Sequence, residues 1–155
     1  MSLRFLQMAI TAAVIGFTQQ PSAPPTANSA AGIPAPVLIQ PSELRQLIQA
    51  QEKPVVLQVG SHILYAEAHL AGAEYVGAAG SPAGITALRE RLSKLSKDQL
   101  IVIYCGCCPW GRCPNIRPAF EQLHAMGFTR VRALYVEDNF GKDWVDKGYP
   151  TDKGR

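Results

Sequence analysis

Outside one short loop the 155-residue chain has no cysteine, which excludes a framework of disulfides spread along the sequence. Between Arg4 and Glu43 there is no charged residue. The formal charge of +3, about +2 once the N-terminal region is set aside, is too small to leave an electrostatic footprint for nucleic acid. No internal repeat is present, so a solenoid is excluded, and no glycine motif of the phosphate-cradling kind occurs. With 155 residues, 47% of them hydrophobic, there is material for one ordinary buried core and little room for a second domain.

What the N-terminus does contain is Arg4 followed by an uncharged, mostly apolar stretch from Phe5 to Phe17, short for a membrane span. Residues 1–18 therefore read as a signal peptide or an N-terminal anchor, the one expected route to a membrane. Residues 19–36 are rich in Pro, Ala and Ser and carry no charge, the composition of a disordered linker. The folded domain is expected over residues 37–155. It is expected to work after export, in the periplasm or another extracytoplasmic space, where thiols oxidise unless they are kept reduced.

The domain alternates short apolar runs with helical patterns, which predicts an α/β fold with a central, largely parallel sheet and helices on both faces. Strands are predicted at Pro54 to Val59, Glu74 to Val76, Leu100 to Tyr104 and Val131 to Val136, with Val37 to Ile39 at an edge. The run Leu100 to Tyr104 has no polar alternation and should be central, covered on both faces. Helices are predicted to begin at Pro41, after the Ser81–Pro82 pair, and at Asn115 as a cap with Gly127 as the stop. A further helix is predicted over Asp138 to Lys147, closing at Gly148 and Pro150.

All four cysteines, Cys105, Cys107, Cys108 and Cys113, fall in the segment that joins the central strand to the helix at Asn115. In a parallel sheet this end of the strands is where loops converge on helix N-termini and where ligands bind. Clustered thiols point to local chemistry rather than stapling. A sulfur nucleophile must be a thiolate, and from Gln99 to Phe120 there is no acidic residue while Arg112 and Arg117 are both present. Those charges and the helix amides are expected to favour the anion on Cys105 and to hold a small oxyanion beside it.

Three blocks of sequence then resemble the rhodanese (sulfurtransferase) domain family. Val55 to Val59 with Ala68-His69-Leu70-Ala71-Gly72-Ala73 is similar to the family's strand and turn. Ile101 to Cys105, followed by Ala119-Phe120 and Gly127-Phe128, is similar to the strand that delivers its cysteine and the helix behind it. Trp144 with Gly148-Tyr149-Pro150 is similar to its C-terminal ending. The resemblance implies a rhodanese-like fold and a sulfurtransferase. Cys105 would take sulfane sulfur from a thiosulfate-like anion as a persulfide and pass it to a thiol or cyanide acceptor. It also implies Arg112 as the catalytic oxyanion-binding arginine; Gly106, Trp110 and Gly111 of the loop and Arg117 beyond it are further substrate-binding candidates. The chain departs from the family in having six residues rather than four between Cys105 and Arg112. Gln58 and Ser61 stand where an ion pair is usual, and the segment from Glu137 to Gly141 replaces a glycine pair. His69 reads as structural.

The extra thiols leave other readings open. Cys108, Cys113 or Cys107 would resolve a persulfide on Cys105 or serve as alternative nucleophile. The Cys105-Gly106-Cys107-Cys108 spacing also suits a dithiol that exchanges disulfides with a thiol reductant protein. A binding module without turnover is the third reading. No cofactor is expected. Metal binding is a further, non-enzymatic reading, since four thiolates can hold Zn(II) or Cu(I), but the C-x-C-C-x4-C spacing is compressed relative to the two separated pairs that usually hold zinc, so no metal is expected.

Overall fold

In a computed structural model the described residues are 31–50 and 53–154. The signal or anchor segment and most of the linker lie outside them. The strands are β1 (Leu38–Ile39), β2 (Val55–Gln58), β3 (His69–Leu70), β4 (Glu74–Tyr75), β5 (Ile101–Tyr104), β6 (Val131–Leu134) and β7 (Thr151–Asp152). The helices are α1 (Pro41–Gln49), α2 (His62–Glu67), α3 (Pro82–Leu92) and α4 (Ile116–Ala125). Five strands form a parallel sheet in the order β1-β6-β5-β2-β4, and β3 pairs antiparallel with β7 as a separate ribbon.

The central place of β5 follows from its composition. All four of its residues are buried, and their side chains alternate between two cores, as a strand's pleat requires. Ile101 and Ile103 face one core with Leu88 and Leu92 of α3 and Ile116 and Leu123 of α4. Val102 and Tyr104 face the other with Leu44 of α1 and with Trp144. The α/β fold with helices on both faces is therefore the observed one. No helix among the described residues is long and apolar enough to cross a membrane.

Local signals end the helices where chemistry demands. Glu43 accepts a bond from the Gln40 amide at 2.8 Å, and the Ser81 hydroxyl accepts from the Gly84 amide at 3.1 Å, each satisfying a donor that has no partner within its helix. The structure differs from the sequence expectation in three places. Packing starts before residue 37: Ile33 is 1% exposed within the core, so 31–36, compositionally linker, belong to the folded unit because one isoleucine finds a hydrophobic seat. The helix expected over Asp138 to Lys147 is a single turn at Gly141–Val145. There the Asp143 carboxylate accepts from the amides of Asp138 and Asn139 at 2.8 and 3.2 Å, holding that chain in a turn. The helix α2 and the β3–β7 ribbon carry six residues or fewer per element, too short for any hydrophobic period to register.

Candidate functional site

Strand β5 ends at Tyr104 and delivers Cys105 to the carboxyl edge of the sheet, where its side chain is 5% exposed. Tyr104 is a fixed post: its hydroxyl accepts from the Leu70 amide at 3.1 Å, and burial pushes its pKa up. The neighbouring strand end is tied down by Gln58, whose side-chain amide donates to the Cys105 carbonyl at 3.2 Å and whose oxygen accepts from the Gly60 amide at 3.1 Å. Where the sequence lacks an ion pair, this buried neutral amide does the bridging. Gly60 is needed for space, since a Cβ there would stand 2.7 Å from the Cys105 sulfur.

Gly106 lets the loop double back. Its φ of +75° is in the region glycine favours, and a Cβ at that position would meet Phe140 at 2.8 Å. The turn brings the Cys107 sulfur to 3.0 Å from that of Cys105, with Cys108 a further 3.2 Å on. A tight turn at Trp110–Arg112 then returns Cys113, so that all four Sγ atoms lie within 4.8 Å of one another. This overturns the spacing argument against a metal site. Compression along the sequence does not separate the sulfurs in space, because the loop folds them onto one point.

Asn115 is the residue beside the sulfurs that sequence reasoning misplaced. It was expected to cap α4, and its side chain makes no cap bond. Instead its Oδ1 accepts from the Gly80 amide at 2.8 Å, and its Nδ2 donates to the Cys105 sulfur at 3.2 Å and toward Cys107 at 3.9 Å. A capping asparagine and a sulfur-binding one look alike in sequence, and only burial at 7% exposure tells them apart.

The electrostatics also correct an expectation. Arg112 is exposed on its turn and Arg117 is exposed on α4, where it pairs with Glu121 at 2.8 Å. Neither lines a hollow next to Cys105. The thiolate is not drawn to Cys105 by arginine. The Cys113 sulfur beside it and burial both raise the Cys105 pKa. Cys113 instead is brought down to about 6, first by a bond from the Cys105 thiol and then by the backbone amides of Asn115 and Ile116 at the start of α4. Burial pushes Cys108 up to about 12, and its bond with Cys107 adds to this. Cys105 and Cys113 thus form a pair that shares a proton, with negative charge drawn toward Cys113 by the amides at the start of α4.

A cleft of about 410 Å³ opens over this arrangement. Its floor is Gln58, Tyr104, Cys105, Gly106 and Cys107, its far wall Asn139 to Gly141, and its rim the half-exposed apolar side chains of Leu64 and Val145 with the exposed Glu67 beside them. Of the substrate-binding candidates only Gly106 lines it. Trp110 packs inward, its ring 5.4 Å from that of Tyr135, and borders a separate hollow of about 10 Å³ with Cys105, Cys108 and Cys113. Its indole nitrogen has no partner. Gly111 is exposed on the same turn and lines neither space. His69 is buried, stacked on Tyr65 at 3.8 Å with its Nδ1 against the Tyr65 carbonyl at 2.7 Å, a structural role.

The profile of the rhodanese-like domain family matches residues 40–135. No curated protein sequence matches the chain. Among solved structures, the rhodanese-like domain of the Alr3790 protein from Anabaena sp. superposes with a TM-score of 0.56 at 20% identity, covering 76% of this chain and 79% of that one. The BH2092 protein from Bacillus halodurans gives 0.57 at 21% identity, over 74% and 75% of the two chains. A rhodanese-related protein from Thermoplasma volcanium gives 0.51 at 21%, over 74% and 95%.

Proposed function

The chain belongs to the rhodanese-like domain family, and from that premise we propose that it is a sulfurtransferase moving sulfane sulfur through a persulfide on Cys105. The observation that carries the reading is the position of the Cys105 sulfur: at the end of the central strand, on the floor of the 410 Å³ cleft, with a side-chain N–H aimed at it from Asn115. Among the four thiols only Cys105 and Cys107 border that cleft.

The donor is a small sulfur-containing anion such as thiosulfate. Cys105 attacks its outer sulfur, the sulfur–sulfur bond of the donor breaks, sulfite leaves with the bonding pair, and the outer sulfur stays on Cys105 as a persulfide. Cys105 and Cys113, whose sulfurs lie within 4.8 Å, share a proton, and Cys105 attacks as the thiolate while Cys113 holds that proton as general base. Asn115 Nδ2 stabilises the sulfur anion as it forms. In the second half-reaction a thiolate or cyanide acceptor attacks the terminal sulfur and Cys105 leaves as the thiolate, regaining its proton. Leu64 and Val145 at the rim favour an acceptor with a carbon body, and the exposed Glu67 beside them disfavours a bare anion in that role. We place the reaction outside the cytoplasm on the strength of the N-terminal segment, where a thiol reductant protein would keep the loop reduced.

A second reading, thiol–disulfide exchange on the same scaffold, is favoured by the 3.0 Å between the sulfurs of Cys105 and Cys107. One experiment separates the two. Sulfite release from thiosulfate with cyanide as acceptor is measured for the wild type, Cys105→Ser and Cys108→Ser. Transfer predicts activity abolished in the first variant and retained in the second. Loss only in Cys108→Ser reassigns the nucleophile, and a wild type that releases no sulfite but reduces disulfides supports the exchange reading instead.

A further inference from the structure

Four thiols in one loop exceed what a persulfide mechanism uses, and their arrangement has a second meaning. The separations among Cys105, Cys107, Cys108 and Cys113 run from 3.0 Å to no more than 4.8 Å. Four thiolates each about 2.3 Å from a tetrahedrally held zinc ion stand about 3.8 Å from one another, a value that lies between those limits. The backbone is already shaped for this, through the φ of +75° at Gly106 and the returning turn at Trp110–Arg112.

Three other features agree. The cluster contains no carboxylate or imidazole, so it selects a soft, thiophilic cation and not a hard one such as magnesium or calcium. Asn115 Nδ2 faces the sulfurs of both Cys105 and Cys107 and is fixed from behind by the Gly80 amide, which is the outer hydrogen bonding that thiolate ligands need. Cys105 is buried while the other three are half-buried, leaving the ion a way in.

We propose that Cys105, Cys107, Cys108 and Cys113 form an all-thiolate site for one thiophilic d10 cation, with zinc(II) the ion whose four-coordinate preference matches the sulfurs. The site stands on geometry alone. Its consequence for catalysis rests on the sulfur-transfer reading: a sulfur that ligates the ion cannot carry a persulfide, so the occupied protein is silent toward thiosulfate.

The test uses the full chain, reduced and kept anaerobic, titrated with cobalt(II) as the spectroscopic probe. One equivalent should give the intense visible d–d bands and sulfur-to-metal charge transfer of a tetrahedral tetrathiolate, and one equivalent of zinc(II) should bleach both. Cys108→Ser and Cys113→Ser should each weaken the charge-transfer band. The weak spectrum of the six-coordinate aquo ion at equimolar wild-type protein overturns the proposal, as does a tetrahedral spectrum untouched by either substitution in a folded variant. The spectrum is read with no sulfur donor present. Protein that binds cobalt but, assayed free of metal, releases no sulfite leaves the metal site standing and removes the transfer reading, and active protein that shows only the aquo ion does the reverse.

Discussion

Replacing Asn115 by aspartate separates the chemistry at Cys105 from the packing around it. Asn115 Oδ1 accepts from the Gly80 amide at 2.8 Å and Nδ2 donates to the Cys105 sulfur at 3.2 Å. Aspartate has the same shape and keeps the first contact, but it exchanges the donor for a carboxylate oxygen. Losing a hydrogen bond to a charged group costs about 1.5–3 kcal/mol. Repulsion between a carboxylate and a sulfur anion at that distance adds up to roughly 5 kcal/mol at an effective dielectric of about 20, an upper bound that protonation of the carboxyl reduces. Taking about 2–3 kcal/mol as the net loss, sulfite release from thiosulfate should slow by roughly 30- to 150-fold. The assay is the initial rate of sulfite formation by anaerobic, metal-free protein, with thermal unfolding as the control. Asn115→Ala, which drops both contacts, should lose about 1 kcal/mol of stability, and Asn115→Asp, which keeps the Gly80 contact but buries a carboxyl beside the sulfurs, should lose stability as well and remain folded. A folded Asn115→Asp protein with a rate within about threefold of wild type, a difference of only about 0.7 kcal/mol in the barrier, would refute the claim that this side chain stabilises the reacting sulfur.

Other perturbations have equally definite outcomes. Cys113→Ser removes the proposed base, so sulfite release should fall by about 100-fold while Cys105 still acquires sulfur on long incubation. Gly60→Ala places a Cβ 2.7 Å from the Cys105 sulfur and should cost about 1–3 kcal/mol of stability together with most of the transfer rate, as read by denaturant unfolding and the sulfite assay. Glu74 pairs with Arg91 at 2.5 and 2.8 Å between β4 and α3. Its pKa is lowered by that bond, so the pair's contribution is present above the ordinary carboxylate range and lost as pH falls through the lowered folded value. Both side chains are partly exposed, so Glu74→Gln should destabilise by no more than about 1 kcal/mol at neutral pH, and the difference in unfolding midpoint should vanish in acid.

The parts of the molecule legible in sequence are those with a repeating signal. The apolar runs at Val55, Ile101 and Val131 became the three inner strands, and the stripe of Phe120 and Leu123 became the buried side of α4. The placement of Cys105 at a strand end followed from the same run. What lay beyond reach was long-range. Arg117 looks in sequence like a cation near the loop, yet one helical turn later Glu121 satisfies it on the outside of α4. Arg112 sits on a turn whose direction is set by Trp110 packing against Tyr135, a contact between distant segments. Asn115 looks in sequence like a helix cap and Gln58 like a lost charge, and their roles depend on meeting Gly80 and Cys105 across the fold. The convergence of four sulfurs depends on backbone angles at Gly106 that composition does not encode.

The central claim is that sulfur is carried on Cys105, and the direct measurement is peptide-resolved mass spectrometry of the reduced full chain after thiosulfate treatment without acceptor. Transfer through this residue requires one added sulfur atom on Cys105 in the wild type, released by cyanide and absent from Cys105→Ser. No added sulfur in the wild type, or the same cyanide-labile sulfur on another cysteine when Cys105 is serine, would contradict it.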